Sequence, residues 1–436
     1  MMGRTAAVML MAVLQGMLLS AQSLPSDSLW LWPSLHFHAL DASNEVASEA
    51  RQAGLSVGLD LDADAFHLPF SFALLTGSFL DSSLKQQAAD RLNAVNHARL
   101  QSRYRLYYRW QQEEFLSQTP ALLEVGLSRY ALSAARFTDD AFTTVFFGNS
   151  RFAGEWADYS GTAYLRYNAD LLDFTLIKFI KYKNWRLQGG IGLSAGLLRK
   201  ASRFCLPEGL LYTDPQGLFL DAAYRFSLTA QATTQENVWS AAGWLLAGHM
   251  YAAAVPAGGR TSLALWLNDL GALHWGRRAI TYRADSSVQF TGLTVQNLFS
   301  AHDDDSFLTY SVDSLLAHTG ARRSEGAAFA ALPLRATLAA CHQWNASLSL
   351  TVAVLYESFP SQLPMVMLRP LWHHRSLAAG PVVTVGGISG VTLGASVTSR
   401  IFRNWGLSAG AGNLAAALWP RASGSAALFL KIWSKV

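Results

Sequence analysis

The sequence has little charge and almost no cysteine. Of its 436 residues, 15% are Asp, Glu, Lys or Arg, whereas soluble domains have about 25%. The two cysteines, Cys205 and Cys341, form no CxxC or Cys/His pattern, so the sequence predicts no zinc site and leaves open whether they pair. The formal net charge of +4 is spread along the chain, and a nucleic-acid partner is therefore not expected.

Catalytic and cofactor motifs are missing as well. The sequence contains no P-loop, HExxH or GxGxxG pattern, which removes the common signatures of nucleotide enzymes and metalloproteases. His373 and His374 are adjacent, and neighbouring residues of a strand point to opposite faces, so they make a poor metal pair. We therefore expect no enzymatic activity, no metal site and no cofactor.

An export signal stands at the N-terminus. Arg4 is the only charge before the apolar run 6–19, and small residues follow that run. This order is typical of a secretory signal peptide, and the run is shorter than the roughly 20 residues of a membrane helix. The sequence predicts a signal peptide over residues 1–21, with cleavage after Ala21 or as late as Ser23.

Three uncharged stretches, 237–259, 376–399 and 404–420, are nearly long enough for membrane helices. Their periodicity argues for strands instead. In the second stretch the apolar residues Val391, Leu393, Ala395 and Val397 alternate with Thr392, Gly394, Ser396 and Thr398. Period two gives a strand with one lipid-compatible face and one small polar face. We therefore expect Leu393 to face lipid and Thr392 to face a lumen.

The same alternation recurs along the chain, in runs that begin near residues 55, 187, 218, 348 and 405. Each run is close to the 9–11 residues with which a tilted strand crosses a bilayer. Aromatic residues near strand ends, as at Trp185, Trp344, Trp405 and Trp433, suit the membrane interfaces. The sequence predicts an all-β antiparallel barrel in the outer membrane of a Gram-negative bacterium, with about fourteen strands (twelve to sixteen) and short helical insertions.

The organisation of the chain is simple. No linker marks a second domain, so we expect residues 53–436 to form one barrel. For the preceding segment, 22–52, we leave open whether it plugs the lumen, lies at the periplasmic rim or is mobile. Helical spacing of apolar residues predicts helices over 81–100, 139–147 and 306–318, the first capped by Asp81 or Ser82 and the second stopped by Gly148 and Asn149.

Several short motifs follow one another in a fixed order: FGNSRFAG at 147–154 with DYSG at 158–161, LYTDP at 211–215, NDLGALHW at 268–275 and LPL at 332–334. Over roughly 125–436 they resemble uncharacterised outer-membrane barrels of Bacteroidota that are similar to long-chain fatty-acid porins. The resemblance implies a barrel fold and a membrane location, and it implies no particular reaction. The motif positions, which we expect to be structural, are Gly148, Asn149, Gly154, Asp158, Gly161, Asn268, Asp269 and Gly271.

Two functional hypotheses remain. The resemblance favours passive passage of small hydrophobic molecules, and a lumen lined by Ser, Thr, Gly and aromatic residues would suit an amphipathic ligand. The alternative is a barrel that does not transport but anchors or docks partner proteins in secretion or surface assembly. The expected partners are thus membrane lipid and either a small hydrophobic ligand or outer-membrane proteins. The sequence identifies no ligand-binding residues.

Overall fold

Alternating apolar and small polar residues fold into strands throughout the chain. The computed structural model describes residues 51–112, 120–231, 241–256, 259–291, 320–402 and 404–435. Within these ranges nineteen strands share one sheet: β1 (Arg51–Ala63), β2 (Val95–Gln112), β3 (Ala121–Thr138), β4 (Trp156–Asp158), β5 (Thr162–Tyr182), β6 (Trp185–Thr213), β7 (Leu220–Gln231), β8 (Gly243–Pro256), β9 (Thr261–Trp275), β10 (Ala279–Phe290), β11 (Arg322–Glu325), β12 (Ala328–Ala331), β13 (Arg335–Asn345), β14 (Leu348–Glu357), β15 (Met365–His374), β16 (Leu377–Gly386), β17 (Val391–Arg400), β18 (Trp405–Ala411) and β19 (Ser425–Lys435).

Fourteen of these strands close into an antiparallel ring. Their order around the ring is β1, β2, β3, β5, β6, β8, β9 and then β13 to β19. The last strand pairs with the first, from Gln52 opposite Lys435 to Asp62 opposite Ser425, so the ring has no open edge. The predicted barrel and its strand number are confirmed. None of the helices in the described ranges is long and apolar enough to span a membrane.

The two faces of the wall differ as the alternation predicts. Leu393 has 53% of its surface exposed on the outside, whereas Thr392 is buried on the lumen side and lies 2.5 Å from the hydroxyl of Thr384. Exposed leucines and valines recur on the outer face of the other strands, and Trp185, Trp405 and their neighbours stand near strand ends. This outer surface is that of a membrane-spanning barrel of the outer-membrane type.

Replacing Leu393 by arginine should weaken the barrel strongly. A cation on the lipid face near the middle of the bilayer costs about 2–4 kcal/mol of unfolding free energy, because the hydrocarbon cannot solvate it. Reversible urea unfolding in lipid vesicles measures this cost, and Leu393→Ile, which stays apolar, is the control. Equal stability of the two variants would contradict the outward orientation of Leu393.

The two ends of the barrel are unlike. At the end that holds Arg51 and Lys435, two residues each join β5 to β6, β13 to β14 and β15 to β16, and the long connections with all the described helices lie at the opposite end. In bacterial barrels the short turns face the periplasm and the long loops face outward. The helices are α1 (Leu68–Thr76), α2 (Ser82–Ala89), α3 (Asp139–Phe147) and the single turn α4 (Ala415–Leu418).

The predicted helix over 139–147 is confirmed, and the one over 81–100 is too long. In α3, Gly148 ends the helix at a φ of 85°, which glycine adopts without strain. The carboxylate of Asp81 caps α2 by accepting from the backbone N–H of Leu84 at 2.7 Å, but α2 already ends at Ala89. From Val95 onward the residues alternate with period two and join β2, so sheet pairing overrides the helical spacing.

Part of the sheet stands above the ring. β6 has 29 residues; its first half pairs with β8 inside the ring, whereas its second half pairs with β7, which pairs with β10. The alternating run near residue 218 therefore forms a strand, but this strand belongs to the upper sheet and does not cross the membrane. Alternation predicts a two-faced strand and does not tell whether lipid or water lies beside it.

The ladder between β15 and β16 is interrupted. Leu368 pairs with Val383 and Trp372 pairs with Ala379, but no pairs lie between them. In this register Pro370 stands opposite Pro381. Proline has no N–H to donate to a ladder and is unusual in an inner strand, so the wall has a local gap in its hydrogen bonding here.

Some sequence expectations lie outside this description. Residues 1–50, with the predicted signal peptide and most of the candidate plug, and the predicted helix over 306–318 are not among the described residues. Cys205 on β6 and Cys341 on β13 are not joined by a disulfide, which answers the question of pairing that the sequence left open.

Candidate functional site

The inward face of β2 carries a row of arginines. Arg99, Arg103, Arg105 and Arg109 occupy odd-numbered positions, whereas the even-numbered Leu106 is exposed on the lipid side. Because side chains alternate across a strand, the whole row faces the lumen. The lumen is therefore charged, and the sequence-based expectation of a lining of Ser, Thr, Gly and aromatic residues was incomplete.

An ionic cluster in the middle of the lumen joins β2 to β3 and β5. Asp173 accepts hydrogen bonds from Nη2 of Arg103 at 3.2 Å and from Nε of Arg105 at 2.9 Å. Glu124 lies 2.7 Å from Nη1 of Arg105 and 2.6 Å from Nη2 of Arg109. The two carboxylates are only 3% and 2% exposed. Buried charges persist only when they are paired and hydrogen-bonded, so each member of this mid-lumen cluster depends on the others.

A serine, a histidine and an aspartate meet beside this cluster. The Ser194 hydroxyl donates to Oδ1 of Asp173 at 2.6 Å, and its oxygen lies 2.8 Å from Nε2 of His249. A hydroxyl has a single hydrogen, which Ser194 gives to Asp173, so His249 must donate to Ser194. A nucleophilic serine instead gives its proton to the histidine. The three residues resemble a catalytic triad in composition, but their hydrogen bonds run in the wrong direction for one.

A second cluster crosses the lumen near the long-loop end. Arg99 on β2 binds Asp60 on the neighbouring β1 through a contact of 2.6 Å, and it also forms an ion pair with Glu357 on β14. β14 is seven strands away from β2 in the ring of fourteen, which is halfway around. The Arg99–Glu357 bridge therefore joins opposite sides of the wall across the upper lumen.

Two cavities lie along β2. The upper cavity encloses about 660 Å³, part of it open to solvent, and Arg99 and Gln101 line it together with Asp60, Asp62 and Glu357. The lower cavity encloses about 500 Å³, and Arg103 and Arg105, the next inward residues of the strand, line it. Both spaces are partly open to solvent. The row of arginines thus runs from one cavity into the other.

Arg335 on β13 stands between the two cavities. Its Nε donates to Asp269 at 2.6 Å, its Nη1 lies 3.4 Å from the amide oxygen of Gln101, and its guanidinium is 5.6 Å from the ring centre of Tyr130. Arg335 lines the upper cavity, and Asn268, adjacent to Asp269, lines the lower one. We call the side chains of Arg335, Gln101 and Asp269 the partition, because they connect the lining of the upper cavity to the neighbour of Asn268 in the lower one.

The lower cavity has a polar side and an apolar side. Asn268 is 8% exposed, and its amide nitrogen has no hydrogen-bond partner among the described residues. Tyr251 and Trp266, with ring centres 5.2 Å apart, form the apolar side together with Ile177. Gly192 on β6 contributes no side chain to the lining. Such a lining suits a molecule with a hydrophobic body and one hydrogen-bonding end.

The family-motif positions before residue 162 lie in the loop between β3 and β5, away from both cavities. Gly148, Gly154 and Gly161 have φ values of 85°, 86° and 81°, which favour glycine.

Asn149 donates to the Thr213 hydroxyl at 3.5 Å, the Gly154 N–H donates to the Thr213 carbonyl at 2.7 Å, and the Asp158 N–H donates to Asp140 at 2.7 Å. Partial burial raises the pKa of that Asp140 carboxyl.

The later motif positions lie in the lumen wall. Asn268 and Asp269 belong to the lower cavity and the partition, and Asp269 has a φ of 63° beside the irregular pairing of β8 with β9. At Gly271 a Cβ atom would come within 1.9 Å of the Leu246 carbonyl oxygen, so the strands approach too closely for a side chain. The structure brings Asn268 and Asp269 to the candidate site, and the role of all eight motif positions stays a prediction.

Comparison with known proteins gives structural neighbours only. No family model and no curated protein matches the chain. Similar solved structures include a deltaS2S3 mutant of the monoaromatic hydrocarbon channel TodX, with 7% identity over 90% of this chain and 92% of that one and a TM-score of 0.47. The toluene transporter TodX of Pseudomonas putida has 9% identity over 95% and 96%, with a TM-score of 0.40. The NalP translocator domain of Neisseria meningitidis has 7% identity over 89% and 88%, with a TM-score of 0.33. At such identities these likenesses concern the barrel fold and carry no function over to this chain.

Proposed function

We propose that the protein is a passive outer-membrane channel for small amphipathic molecules, each with a hydrophobic body and a polar end. The proposal includes the export signal at 1–21 and the resemblance to the Bacteroidota barrels that are similar to fatty-acid porins. The observation that carries it is the series of two cavities along β2, with the side chains of Arg335 and Gln101 at the lower end of the upper one. A barrel that served only as an anchor would have no use for a second, two-sided cavity below the first.

The lining of the lower cavity sets the class of solute. Tyr251, Trp266 and Ile177 offer apolar surface, and Asn268 offers an unpaired donor. The neighbouring arginines are already paired with Asp173 and Glu124, so the cavity is polar without a large excess of charge. A solute would therefore be held mainly by buried apolar area, with a polar end fixing its orientation.

Filling the lower cavity should slow transport. Gly192 faces this cavity, whereas Gly189 on the same strand has open space on its Cβ side. We expect Gly192→Leu to slow the uptake of a medium-chain alkyl carboxylate into proteoliposomes several-fold, with Gly189→Leu as the matched control. Thr175→Leu, which fills the same cavity from β5, gives an independent variant if Gly192→Leu does not fold. Uptake that is unchanged in both cavity variants would reject the channel.

The docking alternative has one observation in its favour. Rim residues near α1 and α3 expose apolar surface, including Phe79 at 88% exposure, Phe72 and Val145. Large apolar patches on a surface exposed to water often mark contacts with other chains. Mass spectrometry of gently solubilised outer membranes distinguishes the two functions. A stoichiometric protein partner together with wild-type uptake in the cavity variants would favour docking over transport.

A further inference from the structure

One side of the outer wall carries a cluster of charged residues at the upper end of its apolar band. Arg129 on β3 binds Asp170 on β5 through its Nε at 2.9 Å, and Arg199 on β6 binds the other oxygen of Asp170 at 2.7 Å. Arg166 on β5 and Lys200 on β6 are exposed close by. We call these four cations and Asp170 the outer basic cluster.

The cluster faces the membrane and not the lumen. On β5 the lumen side is fixed by Asp173, which binds the arginines of β2. Asp170 lies an odd number of residues away and therefore on the opposite face. Below it on that face are the exposed Leu172 and Phe174, which contact hydrocarbon in a spanning barrel. Arg129 is 56% exposed there, and Leu127, two positions below it, is exposed as well.

The height of the cluster matches the headgroup region. Asp170 lies twelve residues above Tyr182, which is at the short-turn end of β5 beside Trp185. With about 3.3 Å per residue and a tilt near 40°, this interval spans about 30 Å. The apolar band of such barrels is about 25 Å tall, so the cluster stands just beyond it. It is at the long-loop end and therefore at the outer leaflet.

The chemistry of the cluster fits a phosphate. A guanidinium forms two parallel hydrogen bonds with phosphate oxygens. Arg129 makes its contact with Asp170 through Nε, and neither of its Nη groups has a hydrogen bond within the described ranges. Asp170 thus fixes the orientation of Arg129 while both Nη groups remain available. An uncharged lipid headgroup would offer the two Nη groups of Arg129 no charged acceptor, and charge-assisted hydrogen bonds are the stronger ones.

We propose that the outer basic cluster binds the phosphate groups of the phosphorylated glycolipid of the outer leaflet. The Nη groups of Arg129 bind a phosphate at the membrane surface, and Arg166 and Lys200 contribute charge above it. The apolar chains of the lipid lie along Leu127, Leu172 and the neighbouring leucines. This site is on the outer wall and is independent of transport through the lumen, so it holds whether or not the barrel is a channel.

The test is lipid retention by the purified full-length barrel. The protein in detergent is mixed with bisphosphorylated lipid A or with its dephosphorylated form, and bound lipid is counted by native mass spectrometry. Wild-type protein should retain the phosphorylated lipid preferentially. Each cation near a charged membrane surface contributes about 1 kcal/mol, so the double variant Arg129→Gln, Arg166→Gln should lower that retention about 30-fold. The single variant Arg129→Gln should lower it less.

The control is Arg283→Gln, which removes an exposed cation from β10 in the upper sheet and should leave retention unchanged. Heat-modifiable migration in gels reports folding, and the single variant serves if the double variant fails to fold. Equal retention of the two lipids by wild-type protein, or equal loss in the Arg283 control, would overturn the proposal. So would loss of a bound protein, instead of lipid, from the Arg129 variants in native membranes.

Discussion

Asp173→Asn should destabilise the barrel by about 3–5 kcal/mol, the cost of leaving buried partner charges uncompensated. Arg103 and Arg105 both bind this carboxylate, and the Ser194 hydroxyl donates to it. Asparagine has almost the same shape, so little of the loss comes from packing. With Asp173 neutral, Glu124 alone remains to balance the arginines of the mid-lumen cluster, in a place where water does not replace the lost interaction.

Urea unfolding in lipid vesicles measures this loss, and the chain offers a close control. Asp170 is on the same strand and also binds two arginines, but it is partly exposed on the outer face. Exposed ion pairs contribute about 0–1 kcal/mol, so Asp170→Asn should change stability little. If both variants lost the same free energy, the mid-lumen cluster would be no more buried than the outer one, contrary to the structure.

Removing the bridge across the lumen should have the largest effect on conductance. In Glu357→Ala the contact between β14 and β2 is lost, and Arg99 keeps only its partners Asp60 and Asp62 on the adjacent strand. The lumen is then wider at this level. We expect ion conductance in planar bilayers to rise on the order of tenfold, as it does when a constriction of a pore is widened.

Glu325→Ala is the control for this measurement. Glu325 is an exposed carboxylate on β11 in the upper sheet, 3.8 Å from Arg323, and its removal should leave conductance unchanged. Unaltered conductance in Glu357→Ala would mean that the lumen is closed elsewhere. In that case the bridge stabilises the rim without controlling passage.

The barrel was predictable because the same alternation of apolar and polar residues repeats from strand to strand. Each strand that crosses the membrane needs an apolar outer face, so its apolar residues recur at every second position, as in the run from Val391. Enough runs of this kind indicate the fold without long-range information. Local signals were also sufficient for α3, with its acidic first turn and Gly148. They failed for residues 90–100, where both helical and strand spacing fit and only pairing with β1 and β3 decides.

The candidate site was only partly predictable. The arginines at 99, 103, 105 and 109 alternate with apolar residues in the printed sequence, so a charged inward face of β2 could have been recognised there. Their partners could not. Glu357 meets Arg99 only because β14 closes the ring opposite β2, and the meeting of Ser194 with His249 likewise depends on register between distant strands.

The facing prolines of β15 and β16 leave a part of the ring with weaker hydrogen bonding between strands. A closed barrel resists deformation because the hydrogen-bonded ladders between its strands form one continuous ring. The ring is weaker wherever a ladder lacks hydrogen bonds. In the β15–β16 ladder, neither Pro370 nor Pro381 has an amide hydrogen to donate. Mechanical strain on the wall, whether from lateral pressure in the bilayer or from insertion into it, will therefore be resisted less here than where a ladder is continuous.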